Sequence, residues 1–149
     1  MDSVSAGWSL RASSPSDAVW MAELRAVVMR PDLERLGRYD PVRVRQRFLD
    51  AFVPENTRVI VVDGEDVGLV AVRPEPDGFW IEHFYLAPES QGRGIGAAVL
   101  ARLLTESDGT RPFRLNVLQA SAARRLYERH GFVLESEDAV DVFMKAEPA

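Results

Sequence analysis

The sequence has 149 residues, of which 46% are hydrophobic and 28% are charged, as expected of one folded domain. Its formal net charge of −5 argues against nucleic acid as a partner, because nucleic-acid-binding domains carry clustered lysine and arginine. Cysteine is absent, which excludes disulfides, thiolate metal sites and cysteine nucleophiles. No signal peptide and no apolar run of ~20 residues is present, so we expect a cytoplasmic protein without a membrane partner.

The first third of the chain is predicted to form one strand and two helices. A strand is expected over residues 8–12, and Ser14-Pro15-Ser16-Asp17 provides capping groups for a helix over residues 17–29. The second helix should cover residues 41–52 and stop before Pro54. The inward-facing side chains predicted from helical spacing are Trp20, Leu24, Val27, Val28, Val44, Phe48, Leu49 and Phe52.

The rest of the chain alternates between strands and helices. Residues 58–72, RVIVVDGEDVGLVAV, contain two β-branched runs around an Asp-Gly turn, which predicts a hairpin. The later strands are predicted at 79–86, 113–118, 132–134 and 140–145, and the later helices at 94–107 and 121–130. This order predicts a single α+β (α/β) domain with a mixed sheet flanked by helices.

The segment PESQGRGIGAAVL, Pro88 to Leu100, places three glycines at the start of a predicted helix. Such a loop directs unpaired backbone N–H groups and the positive end of the helix dipole at one point, which suits a phosphate. A P-loop is excluded because Lys145 is the only lysine. A dinucleotide-binding fingerprint is formally present, but Asn116 and Gln119 stand where a ribose-binding carboxylate is needed. A purely structural turn remains the alternative for this segment alone.

The longer segment LAPESQGRGIGAAVLARLL resembles the pyrophosphate-binding segment of the GNAT superfamily of acyl-CoA-dependent N-acyltransferases. Gln91, Gly94 and Gly96 match the family pattern Gln/Arg-x-x-Gly-x-Gly/Ala. Downstream, RLYERHGF, residues 125–132, is similar to the family's tyrosine-bearing helix and its following Gly-Phe. The resemblance covers residues 58–145 approximately, and it implies a GNAT-like, mostly antiparallel central sheet, acetyl-CoA as the acyl donor and no metal.

The resemblance also implies which residues bind the cofactor. It places the pyrophosphate on the backbone amides of the glycine loop and the pantetheine arm against the end of the preceding strand. Arg93 either adds a charge-assisted contact or is solvated. Ser121 follows Ala120 where the family often has an asparagine, and it can cap the helix and offer a hydroxyl to the cofactor. The cofactor-binding residues implied are Leu86, Ala87, Gln91, Gly92, Arg93, Gly94, Ile95, Gly96, Ala97 and Ser121.

Tyr127, in the motif RLYERHGF, is the candidate general acid, because the resemblance places the family's tyrosine at this position. A phenol near the thioester can donate a proton to coenzyme A as it leaves as a thiolate. The alternative is a core aromatic, since Leu126, Tyr127 and His130 recur on one helical face.

Glu82 is the candidate general base, because an acceptor ammonium must lose a proton before its nitrogen can attack the thioester. Simple strand alternation puts Glu82 on one face with Phe84 and Leu86, and some polyamine-acetylating members of the family are similar at this position. The alternative is a solvated residue or an ion-pair partner. The only histidines, His83 and His130, lack metal-ligand spacing, so no metal site is expected.

These residues together predict an N-acetyltransferase that passes an acetyl group to a primary amine by direct attack, with a small molecule as the expected acceptor. Transfer to a protein or peptide amine, and a non-catalytic acyl-CoA sensor, are the alternatives. Residues 29–48 carry six arginines against three acids, which fits either an anionic acceptor or a solvated helix face. A homodimer is also expected, because late strands in the family often pair or swap between chains.

Overall fold

Seven strands and four α-helices are seen in a computed structural model that describes residues 7–148. The strands are β1 (Trp8–Ala12), β2 (Thr57–Val62), β3 (Glu65–Glu75), β4 (Gly78–Leu86), β5 (Phe113–Leu118), β6 (Val133–Glu137) and β7 (Asp141–Ala146). The helices are α1 (Ala18–Arg35), α2 (Pro41–Ala51), α3 (Ile95–Leu104) and α4 (Ala123–Arg129). Every strand and helix predicted from the sequence is present.

All seven strands belong to one sheet, with the order β1-β2-β3-β4-β5-β7-β6. Each neighbouring pair is antiparallel except β4 and β5, which run parallel. The predicted mixed, mostly antiparallel sheet with flanking helices is therefore confirmed.

Two apolar clusters cover the two faces of the sheet. The strands supply both clusters by alternation, so that Val59 and Leu69 face one side while Ile60 and Val70 face the other. Helices α1 and α2 pack on the first face, which we call the helix-pair face, with Met21, Ala22 and Phe48. Helices α3 and α4 pack on the second, which we call the glycine-loop face, with Ile95, Val99, Leu100, Leu103 and Tyr127.

Helix α1 differs from its prediction in length and in its buried face. It continues through Pro31 to Arg35, where an ion pair with Asp32 supports the last turn. The buried positions are Met21, Ala22 and Ala26, whereas Val27 is 54% exposed. Met21 and two alanines therefore face the sheet, and the predicted Trp20 and Leu24 pack beside them. In α2, Leu49 was predicted to face inward but is 39% exposed.

Gly68 in β3 lies where β4 leaves no room for a side chain. A Cβ at this position would be 2.3 Å from the carbonyl oxygen of Tyr85. We expect Gly68→Ala to lower the free energy of unfolding by about 1–3 kcal/mol, measured by urea denaturation. Gly96→Ala is the control, because a Cβ there would make an ordinary 3.6 Å contact with Leu86 Cδ1. Equal losses in the two variants would contradict the steric explanation.

Candidate active site

The centre of the sheet opens where β4 and β5 run side by side. The two strands pair at Phe79 with Phe113 and at Trp80 with Arg114, and beyond these pairs they diverge. The divergence begins next to a β-bulge in β4, where Ala71 is opposite His83 and Val72 is opposite Ile81. Glu82 is the extra residue, and bulges of this kind bend the bulged strand and end its regular pairing.

The bulge changes which side of the sheet each residue of β4 faces. Ile81, Phe84 and Leu86 all pack on the glycine-loop face, although strict alternation would put Ile81 on the other side. The simple alternation that grouped Glu82 with Phe84 and Leu86 therefore does not hold. The Glu82 carboxylate instead contacts Arg73 of β3, with 2.6 Å between Arg73 Nη1 and Glu82 Oε2.

Main-chain groups at the end of β4 are directed into the gap. The Ala87 amide donates to the carbonyl of Val67 in β3, and the Ala87 carbonyl accepts from the Ser90 amide. In an antiparallel ladder the alternate residues Phe84 and Leu86 then direct their N–H and C=O groups to the opposite edge, toward β5. The Leu86 carbonyl accepts from Gln91 Nε2 at 3.0 Å, which ties the glycine loop to the strand.

The glycine loop leads directly into α3. A single 3-10 turn at Pro88–Ser90 is followed by Gly92 and by Gly94, the residue that caps the helix, and both glycines have positive φ. The first helical bond is Ala98 N–H to the Gly94 carbonyl, so the N–H groups of Ile95, Gly96 and Ala97 have no partner inside the helix. A Cβ built on Gly92 or Gly94 meets nothing within 4 Å. The loop thus presents an open row of backbone donors.

Two other residues implied to bind the cofactor lie near this loop or at the start of α4. Arg93 is an exposed residue within the loop itself. Ser121 Oγ accepts the Ala123 amide at 3.2 Å, but the residue that caps α4 is Ala122 and not Ser121 as predicted.

Tyr127 of α4 lies against the end of β4. Its residue surface is 6% exposed, and its ring centroid is 6.5 Å from that of Phe84 and 5.6 Å from that of Phe132. Burial raises the pKa of the Tyr127 phenol above its usual range. Tyr127 is therefore both a core aromatic and a phenol that stays protonated at neutral pH, so the two sequence interpretations are compatible.

Glu82 is one of two carboxylates held by a single arginine. Arg73 contacts Glu82 through Nη1 and Glu75 through Nε at 2.8 Å, and its guanidinium lies 5.9 Å from the ring centroid of Trp80. The Glu82 side chain is 26% exposed. The alternative of an ion-pair partner is thus observed, in a position beside the gap.

The helix-pair face also holds a polar group that was not predicted from the sequence. His83 Nδ1 is 3.0 Å from the Tyr85 hydroxyl, and Arg25 Nε of α1 donates to the same hydroxyl at 3.2 Å. Burial, with a smaller contribution from the Arg25 charge, lowers the pKa of His83 to about 4. Strand alternation was the signal available, because it puts His83 and Tyr85 on the face opposite Phe84 and Leu86, toward α1 and α2.

The described residues were also compared with the requirements of a metal site and of a membrane-spanning helix. Within residues 7–148, no group of three or more His, Asp or Glu side chains is arranged to hold a metal ion. None of the helices in the same range has the length and apolar character needed to cross a bilayer.

Comparison with known proteins gives one family and a consistent set of relatives. The family model described as an acetyltransferase (GNAT) domain matches residues 55–134. Aminoglycoside N(6')-acetyltransferase type 1 of Stenotrophomonas maltophilia is 31% identical over 157 residues, with 95% of both chains covered.

Solved structures agree with the fold. An N-acetyltransferase, PaiA, from Thermoplasma acidophilum in complex with coenzyme A superposes with a TM-score of 0.74 at 18% identity, covering 94% of this chain and 98% of that one. PH1933 from Pyrococcus horikoshii superposes with a TM-score of 0.73 at 20% identity, covering 95% and 99%. These similarities describe the fold alone.

Proposed function

The chain belongs to the GNAT family of acyl-CoA-dependent N-acetyltransferases, and from this premise we propose that it acetylates the primary amine of a small molecule by direct attack. The observation that carries the proposal is the gap between β4 and β5, bordered by the glycine loop and by Tyr127. The relative from Stenotrophomonas maltophilia supports a small acceptor, since its name specifies an aminoglycoside and the alignment covers 95% of this chain.

The cofactor fits the main-chain donors of this region. Backbone N–H groups of Gly92 to Ala97 would bind the pyrophosphate of acetyl-CoA, with Arg93 as an additional cation. The Gln91 amide donates to the Pro88 carbonyl, so Gln91 contributes through its side-chain contact with the Leu86 carbonyl. The Leu86 amide would pair with the pantetheine arm, and the Ser121 hydroxyl is proposed as a further contact with the cofactor. The Ala87 amide and carbonyl both have partners within the chain, so Ala87 contributes by shape.

The reaction is a single displacement at the thioester carbonyl. The acceptor ammonium first loses a proton, and its nitrogen then forms a bond to the acetyl carbon. The carbon–sulfur bond breaks as the tetrahedral intermediate collapses, and Tyr127 donates its proton to the departing sulfur. The former amine nitrogen loses its second proton to solvent as the amide forms, and solvent returns a proton to the Tyr127 phenolate. Holding amine and thioester together in the gap removes the entropy cost of a bimolecular encounter.

Glu82 is the proposed base, and it acts through a water because Arg73 holds its carboxylate. We expect Glu82→Gln to lower kcat/KM at pH 7 by about tenfold and to move the acid limb of its pH profile, because the variant cannot accept a proton. Glu75→Gln is the matched control, since Glu75 contacts the same arginine but lies outside the bulge. An unchanged profile in Glu82→Gln would assign the proton to another group or to bulk solvent.

The arginines of α1 and α2 favour a solvated helix face over an anionic acceptor. Three of these arginines form ion pairs with carboxylates of the same two helices, namely Arg30–Glu34, Arg35–Asp32 and Arg45–Glu23. Exposed pairs of this kind contribute little energy, as expected of a solvated helix face.

Two measurements in one buffer test the proposed function. Calorimetric and thermal-shift titrations with acetyl-CoA and desulfo-CoA measure cofactor binding, which raises Tm by mass action. A thiol-release screen over amino sugars, polyamines, amino acids and peptides then identifies the acceptor. Turnover with peptides alone would favour a protein acceptor, and binding without any turnover would favour the sensor. No binding would overturn the proposal.

A further inference from the structure

A chain of polar side chains crosses the layer between the sheet and the two N-terminal helices. Arg25 of α1 donates through Nη1 to the Val44 carbonyl of α2 and through Nε to the Tyr85 hydroxyl of β4. The Tyr85 hydroxyl is 3.0 Å from His83 Nδ1 and 3.5 Å from Met29 Sδ. The chain ends at His83 Nε2, which is fully buried and has no hydrogen-bond partner among residues 7–148.

The donors and acceptors along this chain determine where the histidine proton lies. Arginine can only donate, so the Tyr85 oxygen is the acceptor for Arg25. The hydroxyl has one proton and two nearby acceptors, His83 Nδ1 and the Met29 thioether. It donates to the imidazole nitrogen, which is both nearer and the stronger acceptor. With Nδ1 accepting, a neutral His83 carries its proton on Nε2.

An N–H group in this position needs an acceptor. Leaving a buried donor without a partner is costly, and native proteins rarely do so. His83 follows the bulge residue Glu82, so it lies beside the gap between β4 and β5, on the helix-pair face of the sheet. The low pKa of His83 keeps the ring neutral, which suits a group that donates to an uncharged oxygen.

We infer that His83 Nε2–H donates a hydrogen bond to a hydroxyl or ring oxygen of the amine acceptor, and that Arg25 and Tyr85 fix the histidine tautomer for this task. The inference rests on the proposed function and specifies its substrate class as an oxygen-bearing amine, such as an amino sugar. Because the Phe48 ring centroid is 4.8 Å from that of His83, acceptor binding requires a side-chain shift, and such rotations are common at binding sites.

The tautomer is measured independently of activity. We expect nitrogen NMR of ring-labelled protein to show the Nε2–H form for His83, and Tyr85→Phe to lose that preference because the donor to Nδ1 is gone. His130, whose Nδ1 contacts the Leu126 carbonyl at 2.9 Å, provides an internal reference that Tyr85→Phe leaves unchanged. A wild-type His83 protonated on Nδ1 would overturn the inference.

Kinetics with two matched amines test recognition. The probes are 6-amino-6-deoxyglucose and cyclohexylmethylamine, which share a ring-bound aminomethyl group but differ in their oxygens. We expect His83→Phe to lower kcat/KM about tenfold for the sugar and to leave the carbocyclic amine nearly unchanged, because the lost hydrogen bond involves an oxygen. His83→Gln, which retains a donor, should recover part of the loss.

The controls separate this inference from the proposed function. His130→Gln should leave the ratio between the two amines unchanged, and a coenzyme A titration shows that each variant is folded. Equal losses with both amines in His83→Phe would overturn the recognition role while the proposed function stands. Absence of turnover with every amine in the wild type would instead overturn the proposed function.

Discussion

Replacing Tyr127 with phenylalanine is expected to lower kcat by roughly 10²-fold or more and to leave the Kd for coenzyme A within about twofold. The phenol is buried against Phe84 and Phe132, and burial keeps it protonated, so its proton is available when the thiolate leaves. Phenylalanine preserves these ring contacts. The substitution should therefore lower kcat without changing the stability of the fold or the affinity for coenzyme A.

Stopped-flow and steady-state thiol release measure kcat for this variant, and calorimetry measures cofactor binding. Tyr39→Phe is the matched control, since Tyr39 precedes α2 and stacks with Arg30 far along the chain from α4. Unchanged turnover in Tyr127→Phe would remove the phenol from the mechanism and leave it as a core aromatic.

Replacing Gly94 with alanine is expected to raise the Kd for coenzyme A by about 10- to 100-fold, the effect of losing one charge-assisted hydrogen bond. Gly94 has a φ of 81°, and its substituent would project into the open space in front of the loop donors. The added methyl group therefore holds the pyrophosphate away from the amides, and the left-handed backbone adds strain.

Gly109→Ala is the control that separates the backbone strain of an alanine at positive φ from its steric effect on coenzyme A binding. Gly109 has a φ of 79°, also with open space around a built Cβ, but it lies in the loop after α3, at the opposite end of that helix. Both variants should lose similar stability in thermal unfolding, and only Gly94→Ala should weaken binding in calorimetry. Equal Kd values for Gly94→Ala and the wild type would indicate that the pyrophosphate lies elsewhere.

Local signals allowed the elements and the glycine loop to be predicted. The Asp-Gly turn of the first hairpin, the strand of β4 and the glycines before α3 each act within a few residues, so the sequence displays them directly. The boundaries of α3 and α4 were each placed a few residues too wide, because helix ends depend on which turn still finds a packing partner.

The parts that were missed depend on contacts between distant segments. The position of the bulge at Glu82 arises from the register between β3 and β4, and no residue type in FWIEHFYL marks that position. The group of Arg25, Tyr85 and His83 joins residues about 60 positions apart. Helix α1 likewise buries alanines, whose inward placement is decided by the sheet that they approach.

The parallel pairing of β4 with β5 joins two antiparallel ladders of the sheet at one end only. Strands β1 to β4 form one antiparallel ladder and β5, β7 and β6 form another, and the pairs Phe79–Phe113 and Trp80–Arg114 join the two ladders at one end. Opening or closing the wedge beyond that joint leaves the hydrogen bonds of both ladders intact. The width available to the acyl group and its acceptor can therefore be altered, within this chain's lineage or by design, while each ladder keeps its register.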